Sequence, residues 1–218
     1  MATISILGGT GHEGSGLGLR WAKAGHTVII GSRAAEKAQA AAVELNAKLG
    51  VEAVRGLDNV SAALAAEIVV LTVPYSAHVS TLESVREAVQ GKIFVDVTVP
   101  LVPPKVSRVQ MPAAGSASQE AQNLLGPNVK VVTAFQNISA EHLKDSDHPI
   151  ECDVLVCGDD KEAKTVVIQL AADAGMKAWD AGPLANAVVA EGLTSVLIGL
   201  NARHKVKSSG IRITGIDR

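Results

Sequence analysis

Aromatic residues are scarce in this chain of 218 residues, which has two Trp, one Tyr and two Phe. Proteins that bind single-stranded nucleic acids stack the bases on aromatic side chains inside a basic groove. The formal net charge of −2 gives the chain no basic field that would attract such a polyanion. We therefore expect no nucleic-acid partner.

Cysteine is equally rare, because Cys152 and Cys157 are the only two in the chain. Five positions apart in one apparent strand, their side chains would point to opposite faces. Neither a four-ligand zinc site nor a disulfide framework can be assembled from these two residues. We expect buried, reduced thiols and no metal site.

Targeting signals and long apolar runs are lacking as well. The N-terminus leads straight into an apolar strand, without a charged region or a cleavage site of small residues. No apolar run approaches the roughly 20 residues that span a bilayer. These absences predict a cytoplasmic protein with no membrane partner.

What the sequence does contain is an alternation of short β-branched runs with alanine-rich helical patterns. Such alternation predicts βαβ units and a parallel sheet. The predicted strands are 3–7, 27–30, 51–55, 68–73, 93–97 and 129–134, and the helices between them are about 14–24, 34–49, 61–66 and 78–89.

The second half of the chain departs from this pattern. Five of the eight prolines fall in 100–127, and with a helical stretch near 118–125 this region is interpreted as a covering excursion from the sheet. The pattern then restarts with a strand at 153–156, a helix at 161–174, a strand near 177–179 and a helix at 186–203. We predict a larger unit over 1–145 and a smaller C-terminal α/β subdomain over 146–218.

The strongest motif is a G-x-G-x-x-G directly after the first predicted strand and at the start of the first helix. In that context the glycines permit a tight turn, close approach of the backbone to a pyrophosphate, and close helix–strand packing. The helix N-terminus adds amide donors for phosphate. The alternative is a glycine-rich turn in an α/β protein that binds no nucleotide. The motif predicts a Rossmann-like, doubly wound α/β fold that binds a dinucleotide through Gly9, Thr10, Gly11, His12, Glu13 and Gly14.

The end of the second strand indicates which dinucleotide. Enzymes that use NAD usually carry an acidic residue there for the ribose 2′-hydroxyl, whereas this chain has Ser32 and Arg33. A guanidinium pairs with a 2′-phosphate through charge-assisted hydrogen bonds, and Lys37 adds a second positive charge. The alternative is that Ser32 caps the next helix and Arg33 is a solvated surface residue. We predict NADP(H) as the cofactor.

Further candidates lie at the carboxyl ends of the later strands, where open parallel sheets bind their ligands. They would form the floor under the ribose and nicotinamide. His78, near the start of a helix, is interpreted as more structural than catalytic. We recognise no Ser-His-Asp, Cys-His or paired-carboxylate arrangement. These candidates are Val73, Pro74, Tyr75, His78, Thr98, Val99 and Ala134.

Several segments resemble the NADP oxidoreductases that depend on the deazaflavin coenzyme F420. The resemblance covers nearly the whole chain and weakens between about 97 and 145. Its most specific part is the last segment, which is much less common than the glycine loop. The segments are 6–11 with Gly14, Gly16 and Leu17, then 25–26, 30–33, 156–160, and 180–184 running to Glu191 and Thr194.

The resemblance implies a reversible hydride transfer between NADP(H) and F420, with the two rings stacked in the cleft between the domains. The turn after the sixth strand would contact the deazaflavin through Gln136, Asn137 and Ile138, and Gln136 replaces a family His while keeping a hydrogen-bond donor. Thr194 is a further donor candidate. Because the protein mainly aligns the rings, we expect no indispensable acid or base. A homodimer is also implied.

Two alternatives remain open. The chain could be an NADPH-dependent reductase of another small substrate, such as an imine, a ketone, a flavin or ferric iron, because the same nucleotide loop serves many dehydrogenases. It could instead be a regulatory module that binds NADPH without turnover. Equally, the apolar helix at 186–203 fits either a dimer interface or a helix buried in its own core.

Overall fold

The fold is built on one mixed sheet, which the computed structural model describes together with the rest of residues 1–216. Within these residues the sheet has eight strands in the order β3-β2-β1-β4-β5-β6-β7-β8. The strands are β1 (Thr3–Leu7), β2 (Thr27–Ser32), β3 (Val54–Asp58), β4 (Ile68–Leu71), β5 (Ile93–Asp96), β6 (Lys130–Thr133), β7 (Val154–Gly158) and β8 (Ala178–Asp180).

Helices cover both faces of this sheet. Successive side chains of each strand therefore pack into two different cores. Ile6 and Val70 face a core that includes Trp21, whereas Leu7 and Val69 face a core that includes Leu82. All side chains of β4 are buried, as its continuous apolar run predicts. The helices are α1 (His12–Lys23), α2 (Ala35–Leu49), α3 (Asn59–Leu64), α4 (His78–Val85), α5 (Ala117–Leu125), α6 (Ala140–Leu143), α7 (Lys161–Asp173) and α8 (Ala187–His204).

The strand order reverses between β1 and β4, the point at which doubly wound sheets bind their ligands. The order β3-β2-β1-β4-β5-β6 confirms the predicted Rossmann-like α/β fold. One correction is needed, since β7 runs antiparallel to β6, so the sheet is mostly rather than entirely parallel. Because β7 and β8 extend the same sheet, the division at residue 145 stays a prediction.

Several element boundaries differ from the sequence predictions. The third strand occupies Val54–Asp58 rather than 51–55. Its Gly56 weakens the strand pattern in the sequence. In the structure this glycine lies against the backbone of α2, where an added Cβ would be 2.2 Å from the carbonyl carbon of Ala38. The four-residue helix α6 was not predicted. Cys152 precedes β7 instead of lying in it, although both cysteines are buried and free as expected.

One helix qualifies as a candidate membrane span by its length and composition, although polar residues interrupt its apolar run. Leu184–His204 forms a 21-residue helical segment whose most apolar window has a mean hydropathy of 1.4, so that it is long and apolar enough, by length and composition only, to cross a membrane. In the structure, 44% of the most apolar window is buried.

Candidate functional site

A cavity of about 890 Å³ opens at the carboxyl ends of the parallel strands. It lies at the reversal of strand order, and its lining includes Thr194 of α8 and residues of the covering segment 101–106. This volume is in the range of cofactor and ligand pockets. The predicted residues that line it are Thr10, Gly11, His12, Glu13, Ser32, Arg33, Lys37, Val73, Pro74, Tyr75, Thr98, Val99, Gln136, Ile138 and Thr194.

Five predicted residues are not part of the cavity lining. Gly9 and Gly14 act through packing, because a Cβ on Gly14 would be 2.5 Å from Thr72 Oγ1 and one on Gly9 would be 2.7 Å from the Ile6 carbonyl oxygen. Asn137 Nδ2 donates instead to the Asp153 carbonyl, at 2.8 Å. The other two are the buried Ala134 and His78.

The glycine loop presents backbone to the cavity. Gly8 has a φ of +73°, a conformation that favours glycine, and Gly11 N–H donates to the Gly8 carbonyl at 3.1 Å to close the turn. Gly11 is the N-cap of α1, and no side chain caps this helix. The first amides of α1 are therefore available to an anion, which the positive end of the helix dipole would also attract.

Two positive side chains lie beside this loop. Ser32 is buried at the end of β2, whereas Arg33 and Lys37 are exposed. Within residues 1–216, neither cation forms an ion pair with an acidic side chain. Their charges are free to pair with an anionic group of a ligand.

Asn59 lines the same region and was not predicted. It follows β3, whose last residue Asp58 is in register with Ser32. Its Oδ1 atom is buried and has no hydrogen-bond partner in the part of the chain that the structure describes. The sequence could have indicated Asn59 only by its position directly after a strand. The predicted third strand ended at residue 55, so this position was not recognised.

Glu13 is the acidic residue of the glycine loop, in the first turn of α1. Its Oε1 atom is buried, and no group of the described residues 1–216 forms a hydrogen bond with it. Burial raises the pKa of Glu13 to about 8. A neutral carboxyl at this position would spare a bound phosphate the repulsion of a carboxylate.

Asp96, at the end of β5, organises the cavity floor through three different oxygen atoms. Its Oδ2 lies 2.8 Å from His78 Nε2, and its Oδ1 accepts from the Thr98 N–H at 2.9 Å. Its main-chain oxygen accepts from Gln136 Nε2 at 2.6 Å. Asp96 therefore fixes two residues that line the cavity, although it is itself fully buried.

His78 supports this arrangement from behind. Its second ring nitrogen, Nδ1, lies 3.2 Å from Glu120 Oε2, so carboxylates face both nitrogens of a fully buried ring. Burial opposes the charged form, but the hydrogen bonds and charges of Asp96 and Glu120 outweigh it and raise the pKa of His78. The ring also stacks on Tyr75 at 5.8 Å. His78 therefore contacts Tyr75 from outside the cavity lining, and its role stays a prediction.

A buried carboxyl group joins helix α8 to the start of helix α5. Glu191 accepts from the N–H groups of Ala117 and Ser118 at the start of α5, at 2.7 and 3.0 Å. Burial raises the pKa of Glu191 to about 7, against the lowering effect of these bonds. Nearby, Thr194 Oγ1 donates to the Gln136 carbonyl at 2.8 Å, so its proton is already engaged within the fold.

Comparisons with known proteins agree with this geometry. The family model described as NADP oxidoreductase, coenzyme F420-dependent, matches residues 3–100. An F420-dependent NADP reductase of Methanocaldococcus jannaschii is 45% identical over 222 residues, which span 98% of this chain and 99% of that protein. This chain belongs to the family of F420-dependent NADP reductases. A family member from Methanothermobacter marburgensis is 42% identical and covers 98% of both chains.

Solved structures extend the likeness to three dimensions. A structure from Arthrobacter sp. FB24, assigned in its name to the F420-dependent NADP reductases, superposes with a TM-score of 0.81 at 27% identity, covering 98% of this chain and 100% of that one. A pyrroline-5-carboxylate reductase of Coxiella burnetii shares the fold alone, with a TM-score of 0.62 at 16% identity.

Proposed function

We propose that this protein transfers a hydride reversibly between NADP(H) and the deazaflavin coenzyme F420. The observation that carries the proposal is that a glycine loop lines the same cavity as two cations, Arg33 and Lys37, which form no ion pair within residues 1–216. Membership of the F420-dependent family supports the second carrier.

The residues present fit NADP(H). The absence of side chains at Gly9 and Gly14 lets the loop pack closely against Ile6 of β1 and Thr72 after β4, so that the backbone of Thr10 and Gly11 borders the cavity. Amides of the first turn of α1 would bind that pyrophosphate. Ser32, Arg33 and Lys37 would hold the 2′-phosphate, and the ends of β4 and β5 would form the floor under the nicotinamide.

The apolar part of the cavity lining fits a flat, largely apolar ring. Leu101, Pro103 and Val106 from the covering segment face the cavity together with Ile138. When bound, the deazaflavin supplies a ring carbon that accepts or releases hydride. The residues of this chain would align the two rings and exclude water, which is the main contribution a protein makes to such a transfer.

The direct test mixes the purified protein with oxidised F420 and either NADPH or NADH, and follows the loss of the visible absorbance of the deazaflavin. We expect rapid bleaching with NADPH and slow bleaching with NADH. Absence of bleaching with both nucleotides would refute the proposed activity. Faster bleaching with NADH would refute the assignment of Arg33 and Lys37 to a 2′-phosphate.

We propose a homodimer that works in the cytoplasm. Support for the dimer comes from α8, which carries the exposed apolar side chains Val188, Val189 and Val196. Solvated apolar side chains that share one helix suit a subunit interface. A second copy would cover these side chains and stabilise the helix that presents Thr194 to the cavity.

A further inference from the structure

Two polar atoms of the cavity floor have no hydrogen-bond partner among residues 1–216. They are Thr98 Oγ1 and Gln136 Oε1, and both are buried. Their residues are 2% and 5% exposed, and both line the cavity. Leaving a buried polar atom unpaired costs about 1–3 kcal/mol, so unpaired atoms beside a ligand cavity call for an explanation.

The orientation of Gln136 is set by Asp96. The Asp96 main-chain oxygen can only accept a hydrogen bond, so the NH₂ group of Gln136 must face it, at 2.6 Å. This contact uses the amide donor and turns the oxygen, an acceptor, away from Asp96. The donor that the sequence interpretation left available at this position is therefore already engaged.

Thr98 supplies the complementary group. Its N–H donates to Asp96 Oδ1 at 2.9 Å, which anchors the residue by its backbone. Its hydroxyl remains free, and a hydroxyl can donate a proton to a carbonyl oxygen. Since Asp96 anchors both residues, the hydroxyl donor and the amide acceptor are held on a common support.

Resting on the proposed function, we propose that Thr98 Oγ1 and Gln136 Oε1 recognise an amide edge of a bound redox ring. The ring's carbonyl oxygen would accept from Thr98, and its adjacent N–H would donate to Gln136. Two carriers offer this chemistry: the carboxamide of the nicotinamide, and the cyclic imide of the deazaflavin. A ligand without the N–H would leave Gln136 Oε1 unpaired, so this pair selects against it.

The test measures binding rather than turnover. Dissociation constants are determined for NADP⁺, for its 3-acetylpyridine analogue, which has a methyl ketone in place of the carboxamide, and for oxidised F420 in the presence of saturating NADP⁺. No hydride can move, because both carriers are oxidised. The variants are Gln136→Met and Thr98→Val, which keep the size of each side chain, with Gln39→Met on the exposed face of α2 as the matched control.

If the carboxamide is the ligand group, the wild type binds NADP⁺ about tenfold more tightly than the analogue, and Gln136→Met removes this preference. If the imide is the ligand group, Gln136→Met and Thr98→Val weaken F420 binding about tenfold and leave NADP⁺ unchanged. Either result supports the proposal, provided that Gln39→Met behaves as the wild type.

The proposal is overturned if the wild type binds both carriers and both variants keep every constant within about twofold. Circular dichroism checks that each variant folds, and Thr98→Val decides alone if Gln136→Met does not fold. A wild type that binds neither carrier would overturn the proposed function as well, which separates the two failures.

Discussion

Replacing Arg33 by alanine tests how this family member distinguishes NADPH from NADH. The side chain is exposed and pairs with no acidic group within residues 1–216, so its removal leaves no buried charge unpaired. We expect the free energy of unfolding to change by less than about 0.5 kcal/mol. The loss should fall on binding, where a charge-assisted hydrogen bond contributes about 1.5–3 kcal/mol.

This contribution predicts that Arg33→Ala weakens NADPH binding about ten- to a hundredfold. NADH has no 2′-phosphate, so its affinity should stay within about twofold. Titration calorimetry with both nucleotides measures the two constants, and Arg86→Ala, an exposed residue at the end of α4, is the control. Equal losses for NADPH and NADH would refute the assignment of Arg33 to the 2′-phosphate.

Three further outcomes follow from buried or exposed groups. Arg20 donates to five main-chain carbonyls, among them that of Asp145. Arg20→Met should therefore lower the free energy of unfolding, measured by urea titration, by at least about 3 kcal/mol. A change below about 1 kcal/mol would contradict this structural role of Arg20. The pKa of Glu13 is raised to about 8 in the fold. Its contribution to the free energy of unfolding is therefore fully present below its ordinary pKa and is lost as the pH rises to about 8, because the unfolded chain releases this proton first. Urea titrations should therefore show that Glu13→Gln becomes more stable relative to the wild type as the pH rises from about 5 to about 8. A constant difference between the two free energies of unfolding over this range would contradict the raised pKa. Sedimentation should give a dimer for the wild type and a monomer for Val189→Asp, whereas a monomeric wild type would exclude the α8 interface.

The parts of the site that the sequence predicted are those whose physical cause is local. The glycine spacing at residues 9–14, the strand before it and the helix after it lie within about one βα unit, and Arg33 follows directly from the end of β2. Strand ends are also readable, because the carboxyl ends of parallel strands share one edge of the sheet. This is why the sequence analysis could select Tyr75 and Thr98, both of which line the cavity at this edge.

The parts that the sequence did not predict depend on contacts between distant residues. His78 meets Asp96 and Glu120 across separations of 18 and 42 positions, and no local pattern indicates that both carboxyls would face one ring. The orientation of Gln136 likewise follows only from the carbonyl of Asp96, 40 positions earlier. The third strand was predicted at 51–55 and so too early in the chain, because Gly56 lowers the strand signal while it allows the close packing of α2 against β3.

The most direct test of the central claim follows the hydride itself. NADPH carrying deuterium at C4 of the nicotinamide, on one face or the other in separate reactions, is incubated with oxidised F420 and the protein, and the reduced deazaflavin is analysed by mass spectrometry. The account predicts deuterium in the reduced F420 from one of the two labelled forms, because two rings bound face to face in the cavity would expose only one face of the nicotinamide to the deazaflavin. Reduced F420 without deuterium from both forms, or no reduction at all, would contradict it.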